Sequence, residues 1–256
     1  MKFSTRPYLI SVLALAAALL LSVAVGSVFI PPAALWDLIR AALTGSQPAL
    51  PQADTYTTIL LSLRLPRTLL IAFTGAALAT SGGAYQGLFR NPLADPYLIG
   101  VASAAGLGAV LAMTIQSPRG TTGLLAVPLA AFAGALLTVW VVYQMARVGR
   151  TVPTTNLILA GVAASSFCTA LSSFLMLNAT GELRRALVWQ LGGSTLSGWQ
   201  PVLAVLPYLA AGVGVLLASG HALNVLQFGD EQARQLGLPV ERVRRIVVVA
   251  ATLTTA

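Results

Sequence analysis

The stretch from Tyr8 to Ile30 reads YLISVLALAAALLLSVAVGSVFI and contains no charged residue. A helix of about 20 apolar residues is long enough to cross the hydrocarbon core of a membrane. Lys2 and Arg6 precede the stretch, as basic residues precede a secretory signal, but the apolar run is longer than a signal normally has and Ser22–Ser27 is a poor cleavage site. The stretch therefore predicts a retained first transmembrane helix.

The rest of the chain repeats this pattern. Of its 256 residues, 57% are hydrophobic and 9% are charged, whereas soluble domains carry about 25% charged residues. Six further spans are predicted within Arg67–Arg90, Asp95–Arg119, Arg119–Arg147, Arg150–Glu182 and Pro201–Ser219, and from Ile246 to Ala256. A short amphipathic piece is predicted near Leu187–Leu191, and the longest polar connections are Pro31–Leu63 and Gln227–Arg245. We therefore expect an all-α polytopic transmembrane helical bundle of about seven spans, a single domain over residues 1–256 whose last span is truncated.

The net charge of +8 is carried by short clusters between the spans, which favours a membrane protein over a nucleic-acid-binding one. With a cytoplasmic N-terminus, nine of the fifteen basic residues lie inside: Lys2, Arg6, Arg90, Arg147, Arg150, Arg234, Arg242, Arg244 and Arg245. The remaining six lie outside: Arg40, Arg64, Arg67, Arg119, Arg184 and Arg185. This bias supports an inward N-terminus. The outer arginines indicate either anionic lipid headgroups or an acidic extracytoplasmic partner.

Several function classes are excluded by what the sequence lacks. No charged residue lies in the middle of a predicted span, which disfavours proton- or ion-coupled transport. Lys2 is the only lysine, so the Gly-Lys-Ser/Thr sequence of an ATP-binding loop is absent and any ATP-driven work requires another polypeptide. His221 and Cys168 are the only residues of their types, which rules out a disulfide framework and a Cys-rich metal or cluster site and leaves the chain poorly equipped for intramembrane hydrolysis. We expect a protein that is not an enzyme and holds no cofactor.

Two predicted helices carry patterned small or polar residues. In the second span, glycine or alanine recurs every fourth residue and predicts a helix inside the bundle, at Gly75, Ala79, Gly83 and Gly87. In the fifth span, a similar spacing is found at Gly161, Ser165, Thr169 and Ser173, with Ser166 and Ser172 beside it. These hydroxyls indicate either the lining of a neutral passage or hydrogen bonds to their own and neighbouring helices.

Two connections carry distinct signals. Pro92 and Pro96 forbid a continuous helix after the second span and predict a sharp turn. The stretch Gly229–Pro239 has acidic residues at its start and a glycine and a proline at its end, which predicts a short capped helix. If this helix presents Ala233 and Leu236, it is a docking element for a soluble protein, the alternative being a solvated linker.

Five ordered motifs carry a family resemblance: RLPR at 64–67, GAYQGLFRNPLADP at 83–96, LAGV at 159–162, WQLGG at 189–193 and ARQLGL at 233–238. Together they resemble the permease subunits of iron-siderophore, haem and vitamin B12 importers, the type II ABC importers. The resemblance implies a homodimer or pseudo-dimer in a bacterial or archaeal cytoplasmic (inner) membrane. It also implies a cytoplasmic ATPase dimer that binds ATP and Mg, and a periplasmic or lipid-anchored substrate-binding protein.

The same resemblance implies roles for individual residues. Arg64 and Arg67 would receive acidic side chains of the binding protein, and Leu93, Thr154 and Thr155 would lie at a cytoplasmic gate. The translocation pathway is predicted from the hydroxyl pattern of the fifth span rather than from the resemblance, at Ser165, Thr169, Ser172 and Ser173. ATPase coupling would rest on the loop 227–241, at Gly229, Asp230, Glu231, Ala233, Arg234, Leu236, Gly237 and Leu238. Family members have ten spans, so we expect this chain to lack the last ones.

The leading hypothesis is therefore a permease subunit of an ATP-binding cassette importer for an iron chelate or cobalamin. The alternatives are a membrane channel or carrier that acts without ATP and a purely structural assembly subunit. Because the hydroxyl-lined helix offers no ligand atoms specific to one cargo, the sequence does not choose among siderophore, haem and cobalamin.

Overall fold

The computed structural model describes residues 5–46, 52–115, 121–149, 152–178, 187–188, 190–192 and 198–256. The main elements in these ranges are helices, which confirms the predicted all-α class. In chain order they are α1 (Arg6–Ala24), α2 (Pro32–Thr44), α3 (Ala53–Thr58), a π-helical turn (Ile59–Arg64), α4 (Leu65–Phe89), a 3-10 turn (Pro96–Ile99), α5 (Val101–Ile115), α6 (Thr121–Ala146), α7 (Thr154–Asn178), α8 (Trp199–Ala218), α9 (Gly220–Leu226), α10 (Asp230–Gln235) and α11 (Val240–Thr255).

Within the described residues, five helical stretches are long and apolar enough to cross a membrane: Arg6–Ala24, Ala53–Phe89, Ala126–Ala146, Thr155–Leu177 and Trp199–Ala218. They correspond to the predicted first, second, fourth, fifth and sixth spans. The predicted third span is the shorter helix α5, of 15 residues. The chain is thus a multi-pass membrane protein.

The structure corrects several predicted boundaries. The first helix does not continue to Ile30, because α1 ends at Ala24 and Val25 is extended. The predicted polar connection Pro31–Leu63 contains α2, and its end is wrong, since the apolar helical stretch that includes α4 already begins at Ala53. The last helix begins at Val240 rather than Ile246, because the charged residues before Ile246 form its first turns. Of the piece predicted near Leu187–Leu191, residues 187, 188 and 190 are helical, and Trp189 lies outside the described residues.

One compact unit comprises Met1–Ala72 and Leu196–Val202. Its core is small and is built from Ile30, Ala34 and Leu60, with Val23, Leu35, Leu38, Tyr56 and Ile59 packed around them. Ser22 and Thr68 share a hydroxyl hydrogen bond of 2.8 Å, which joins α1 to α4.

The second unit comprises Phe73–Thr195 and Leu203–Ala256. Helices α5 and α6 approach closely at glycines: a Cβ at Gly134 would lie 2.8 Å from Ala104 O, and one at Gly108 would collide with the backbone of Ala130. Small residues permit this approach, and the packing energy of membrane helices depends on it. Helix α11 joins the same core through Val247 and other buried residues. The contact between α5 and α6 therefore depends on the close approach of the two helix backbones.

The small-residue face predicted on the second span is packed only in part. At Gly87 the backbone is approached by Leu223 and by the Gln227 side chain. A Cβ added at Gly75 or Gly83 would meet open space, and Ala79 is exposed, in the part of the chain that the structure describes. The prediction that this helix is enclosed is therefore confirmed at Gly87 and not at the other three positions.

Candidate functional site

The predicted capped helix in the loop 227–241 exists as α10, which covers Asp230–Gln235. Gly229, with a φ of 108°, precedes it, and Gly237, with a φ of 85°, follows it. Both angles lie in a region that disfavours residues with a Cβ. Asp230 and Glu231 occupy the first turn, where the helix dipole favours negative charge.

The orientation of α10 differs from the prediction at one residue. Leu236 is 68% exposed, as expected for a docking residue, but Ala233 is 0% exposed and belongs to the core of the second unit. Leu238 is half-buried against the same core. Ala233 is therefore an anchor of the segment, and the prediction that it is presented to a partner is wrong.

Asp230 is the centre of an ion network. Its carboxylate accepts a hydrogen bond of 2.8 Å from Arg244 Nη2 and lies 3.8 Å from Arg90 Nη2. The Arg244 side chain is only 12% exposed. Burial lowers the pKa of Arg244, but Tyr143, Asp230 and Glu241 raise it by more, so the guanidinium stays charged. Asp230 thus joins α10 to α11 and to the end of α4.

The network extends along the surface of the segment. Glu241 lies 3.5 Å from both Arg234 and Arg244, and Glu231 lies 3.8 Å from Arg234. Sequence reasoning selected Asp230, Glu231 and Arg234 but missed Glu241 and Arg244 as partners. The available signal was the alternation of acidic and basic residues between 230 and 245.

The end of α4 is tied to the same segment. Asn91 N–H donates to Gln86 O across Arg90, whose φ of 53° is left-handed, so the helix ends in the six-to-one bond of a Schellman motif. Gln227 Nε2 donates to Gly87 O at 2.8 Å. Since a non-glycine residue in this conformation costs about 1–2 kcal/mol, the contacts around Arg90 offset a local strain.

The residues predicted for a gate lie in the turn after α4 and at the start of α7. Leu93 is 82% exposed in the turn after α4, where its N–H donates to Asn91 Oδ1. Thr155 is exposed in the first turn of α7, and Thr154 begins that helix, although its side chain lies outside the described ones. The gate itself stays a prediction.

The hydroxyls of α7 divide into two groups. Ser172 is 1% exposed and donates to Cys168 O at 2.8 Å, so in the described chain it serves helix packing rather than an open passage. Thr169 and Ser173 are exposed, and the Ser173 hydroxyl donates to Thr169 O. Ser165 is half-buried, with its Oγ 3.3 Å from where a Cβ on Gly100 would lie. A role in a passage stays a prediction for these three.

A cleft of about 390 Å³ lies beside the C-terminal half of α4. Its walls are the small-residue face of α4 and the 3-10 turn: Leu78, Ala79, Gly82, Gly83, Gln86, Ala94, Asp95, Pro96 and Tyr97. Asp95 caps that turn by accepting the Tyr97 N–H at 2.6 Å, so this carboxylate has a structural partner.

The two predicted docking arginines have different surroundings. Arg67 is exposed. The Arg64 guanidinium donates to Val23 O at 2.7 Å, to Ala24 O at 2.9 Å and to Val28 O. It therefore satisfies carbonyls at and just after the C-terminal end of α1, which a helix end leaves without backbone partners. Sequence reasoning missed this contact because it joins positions far apart in the chain.

The family model for the FecCD transport family matches residues 14–256. The cobalamin import system permease protein BtuC of Halobacterium salinarum is 42% identical over 203 residues, which are 79% of this chain and 54% of that protein. The uncharacterized ABC transporter permease protein YvrB of Bacillus subtilis is 34% identical over 253 residues, which are 97% of this chain and 70% of that protein.

A solved structure, that of an inward-facing metal-chelate type ABC transporter, matches with a TM-score of 0.75 and 24% identity. The match covers 98% of this chain and 74% of that one, and at this identity it shows the fold alone. The chain spans about half the length of the H. salinarum relative.

Proposed function

Because this chain belongs to the FecCD transport family, we propose that it forms the membrane-embedded part of the permease subunit of an ATP-binding cassette importer. The cargo would be cobalamin or an iron chelate, a siderophore or haem. Relatives named for cobalamin or vitamin B12 import favour cobalamin among these. The chain would lie in the cytoplasmic membrane with its N-terminus inside, beside a second permease copy.

The observation that carries the proposal is the attachment of α10 to the end of α4. Asp230 contacts Arg90 and Arg244, and Gln227 donates to Gly87 O, so a force on α10 reaches a membrane-spanning helix through polar contacts. The exposed apolar side chains of Leu236 and Phe228 offer a surface to a soluble protein. We infer that an ATPase dimer, which binds ATP and Mg, docks here.

A substrate-binding protein would dock on the opposite side, where Arg67 is the better candidate for an acidic partner. Its charge is exposed, and exposed charge pairs steer docking more than they add affinity. Arg64 would reach such a partner only by giving up its hydrogen bonds to α1.

The passage would run along α7, with Thr169 and Ser173 on its wall and the gate at Leu93, Thr154 and Thr155. Single cysteines test this in a background in which Cys168 is replaced by alanine. Thr169→Cys should react with a water-soluble thiol reagent, whereas the matched Ser172→Cys should stay protected because Ser172 is 1% exposed. Equal protection at both positions in every nucleotide state would contradict the assignment.

Co-purification tests the coupling surface. The chain is expressed together with an ATPase subunit of an ATP-binding cassette importer, and Leu236→Arg is compared with Leu43→Arg, an exposed leucine of α2. We expect the ATPase to be lost only with Leu236→Arg. ATPase recovery that is equal in the two variants would contradict the docking assignment.

Transport tests the activity with cyanocobalamin as the probe. Vesicles that contain the chain, the ATPase and the binding protein should accumulate the probe only with ATP. Accumulation that needs neither ATP nor the ATPase would instead favour a channel or carrier.

A further inference from the structure

A π-helical turn interrupts the long helical run Ala53–Phe89 at Ile59–Arg64, directly before Pro66. In an α-helix, the ring of a proline collides with the carbonyl four residues earlier, and its nitrogen has no hydrogen to donate. The carbonyl in question belongs to Ser62. A wider turn before Pro66 relieves this collision, so the sequence itself accounts for the position of the π-helical turn.

The turn changes which carbonyls have partners. Leu65 N–H donates to Leu60 O, five residues back, and not to Leu61 O as in an α-helix. The donor that would continue the π pattern to Leu61 O is residue 66, which is proline. Leu61 O therefore has no backbone donor, and an unpaired carbonyl in a membrane segment costs several kcal/mol.

Trp199 supplies the missing donor. Its indole Nε1–H donates to Leu61 O at 2.9 Å, across 138 positions of the chain. The neighbouring Gly198 also lies against the π-helical turn, since a Cβ there would lie 3.9 Å from Ser62 O. Both residues belong to the unit that contains the π-helical turn.

The π-helical turn also places Arg64 against the C-terminal end of α1. Its guanidinium donates to Val23 O and Ala24 O, and Leu60 packs on Ile30 in the same core. Since each helical residue turns the chain by about 100°, loss of the extra residue in the turn would rotate the preceding helix by that angle relative to α4. Leu60 would then leave Ile30, and Leu61 O would leave Trp199.

We propose that Pro66 and Trp199 form a π-helical joint that positions Arg64 on the end of α1. Pro66 favours the wider π-helical turn, and the Trp199 indole donates to the Leu61 carbonyl that this turn leaves without a backbone donor. Arg64, at the end of the turn, donates to carbonyls of α1. Trp199 is thus a positioning residue that acts through the backbone of another helix.

Indole hydrogen exchange tests the joint in the full chain, labelled with ¹⁵N-tryptophan and reconstituted in nanodiscs. Pro66→Ala restores an N–H at position 66 and lets Leu65 N–H return to Leu61 O. We expect exchange of the Trp199 indole to become about tenfold faster, because its hydrogen bond is lost. The exposed Trp140 indole provides the internal reference, and Pro128→Ala, at a proline inside α6, is the matched control.

A second readout does not depend on Pro66→Ala being well folded. Phenylglyoxal modifies accessible arginines, and mass spectrometry compares Arg64 with the exposed Arg67 in one sample. Trp199→Phe keeps an aromatic ring but removes the donor, so labelling of Arg64 should rise while that of Arg67 stays constant. Unchanged Trp199 exchange in a folded Pro66→Ala chain, or unchanged Arg64 labelling in Trp199→Phe, would overturn the proposal.

Discussion

Replacement of Asp230 by asparagine removes the central charge of the ion network and preserves its shape. Arg244, 12% exposed, would keep a neutral acceptor in place of the carboxylate that now lies 2.8 Å away. A hydrogen bond to a charged group contributes about 1.5–3 kcal/mol, and a neutral one about 0.5–1.5 kcal/mol. Because Asp230 is 33% exposed, solvent screens part of the difference, and Glu241 remains 3.5 Å away. We expect a loss of about 1–2 kcal/mol.

The single cysteine of the chain, Cys168, provides a probe for thermal unfolding. Cys168 is 4% exposed, so a thiol-reactive fluorophore reports its exposure when the chain unfolds on heating. A loss of about 1–2 kcal/mol lowers the midpoint by roughly 2–8 °C for a chain of this size. Glu231→Gln is the matched control on the same helix. Glu231 is 78% exposed and 3.8 Å from Arg234, and such surface pairs contribute about 0–1 kcal/mol.

The double variant Asp230→Asn with Arg244→Met isolates the contribution of the Asp230–Arg244 contact to the free energy of unfolding. If the contact carries the stability, Arg244→Met should cost less in the Asp230→Asn background than in the wild-type chain. Strictly additive losses, or a midpoint for Asp230→Asn equal to that for Glu231→Gln, would refute the reasoning.

Outcomes for five further variants follow from burial, charge and backbone geometry. Ala233→Arg should lower the unfolding midpoint because Ala233 is 0% exposed, whereas Leu236→Arg should leave the midpoint unchanged and weaken ATPase retention. Arg64→Gln should lower the midpoint because the α1 carbonyls lose their donor, whereas Arg67→Glu should leave it unchanged and slow salt-sensitive capture of the binding protein, as surface plasmon resonance would measure. Gly100→Ala should cost at least about 1–2 kcal/mol in the same thermal assay, because Gly100 has a φ of 83° and the new Cβ would crowd a neighbouring side chain; an unchanged midpoint would contradict this.

The positions of most spans were predictable because a charge in hydrocarbon is costly. Charge-free intervals therefore locate helices such as α6 and α7 without tertiary information. The short helix α10 was predictable for a similar local reason. Its first turn is acidic, and Gly237 and Pro239 end it.

The helix boundaries that were predicted wrongly depend on residues far away in the sequence. Helix α1 ends at Ala24 although apolar residues continue to Ile30, and Arg64 supplies donors to the carbonyls at that end. Helix α2 lies within a stretch predicted to be a polar connection. Its Ala34 and Ala41 are buried by residues that are brought to them only by folding, so their burial was not visible in the sequence.

What the sequence by itself determined is the class of the protein, its apolar helices and the places where proline or glycine interrupts them, since desolvation and backbone sterics act locally. The tertiary structure decided which face of α10 is buried, that Asp230 joins Arg90 to Arg244, and that Trp199 completes the turn opened by Pro66. These contacts join residues on separate elements. Their partners are set by how the helices pack, because a side chain carries the same donors and charge whether it meets water, lipid or another helix.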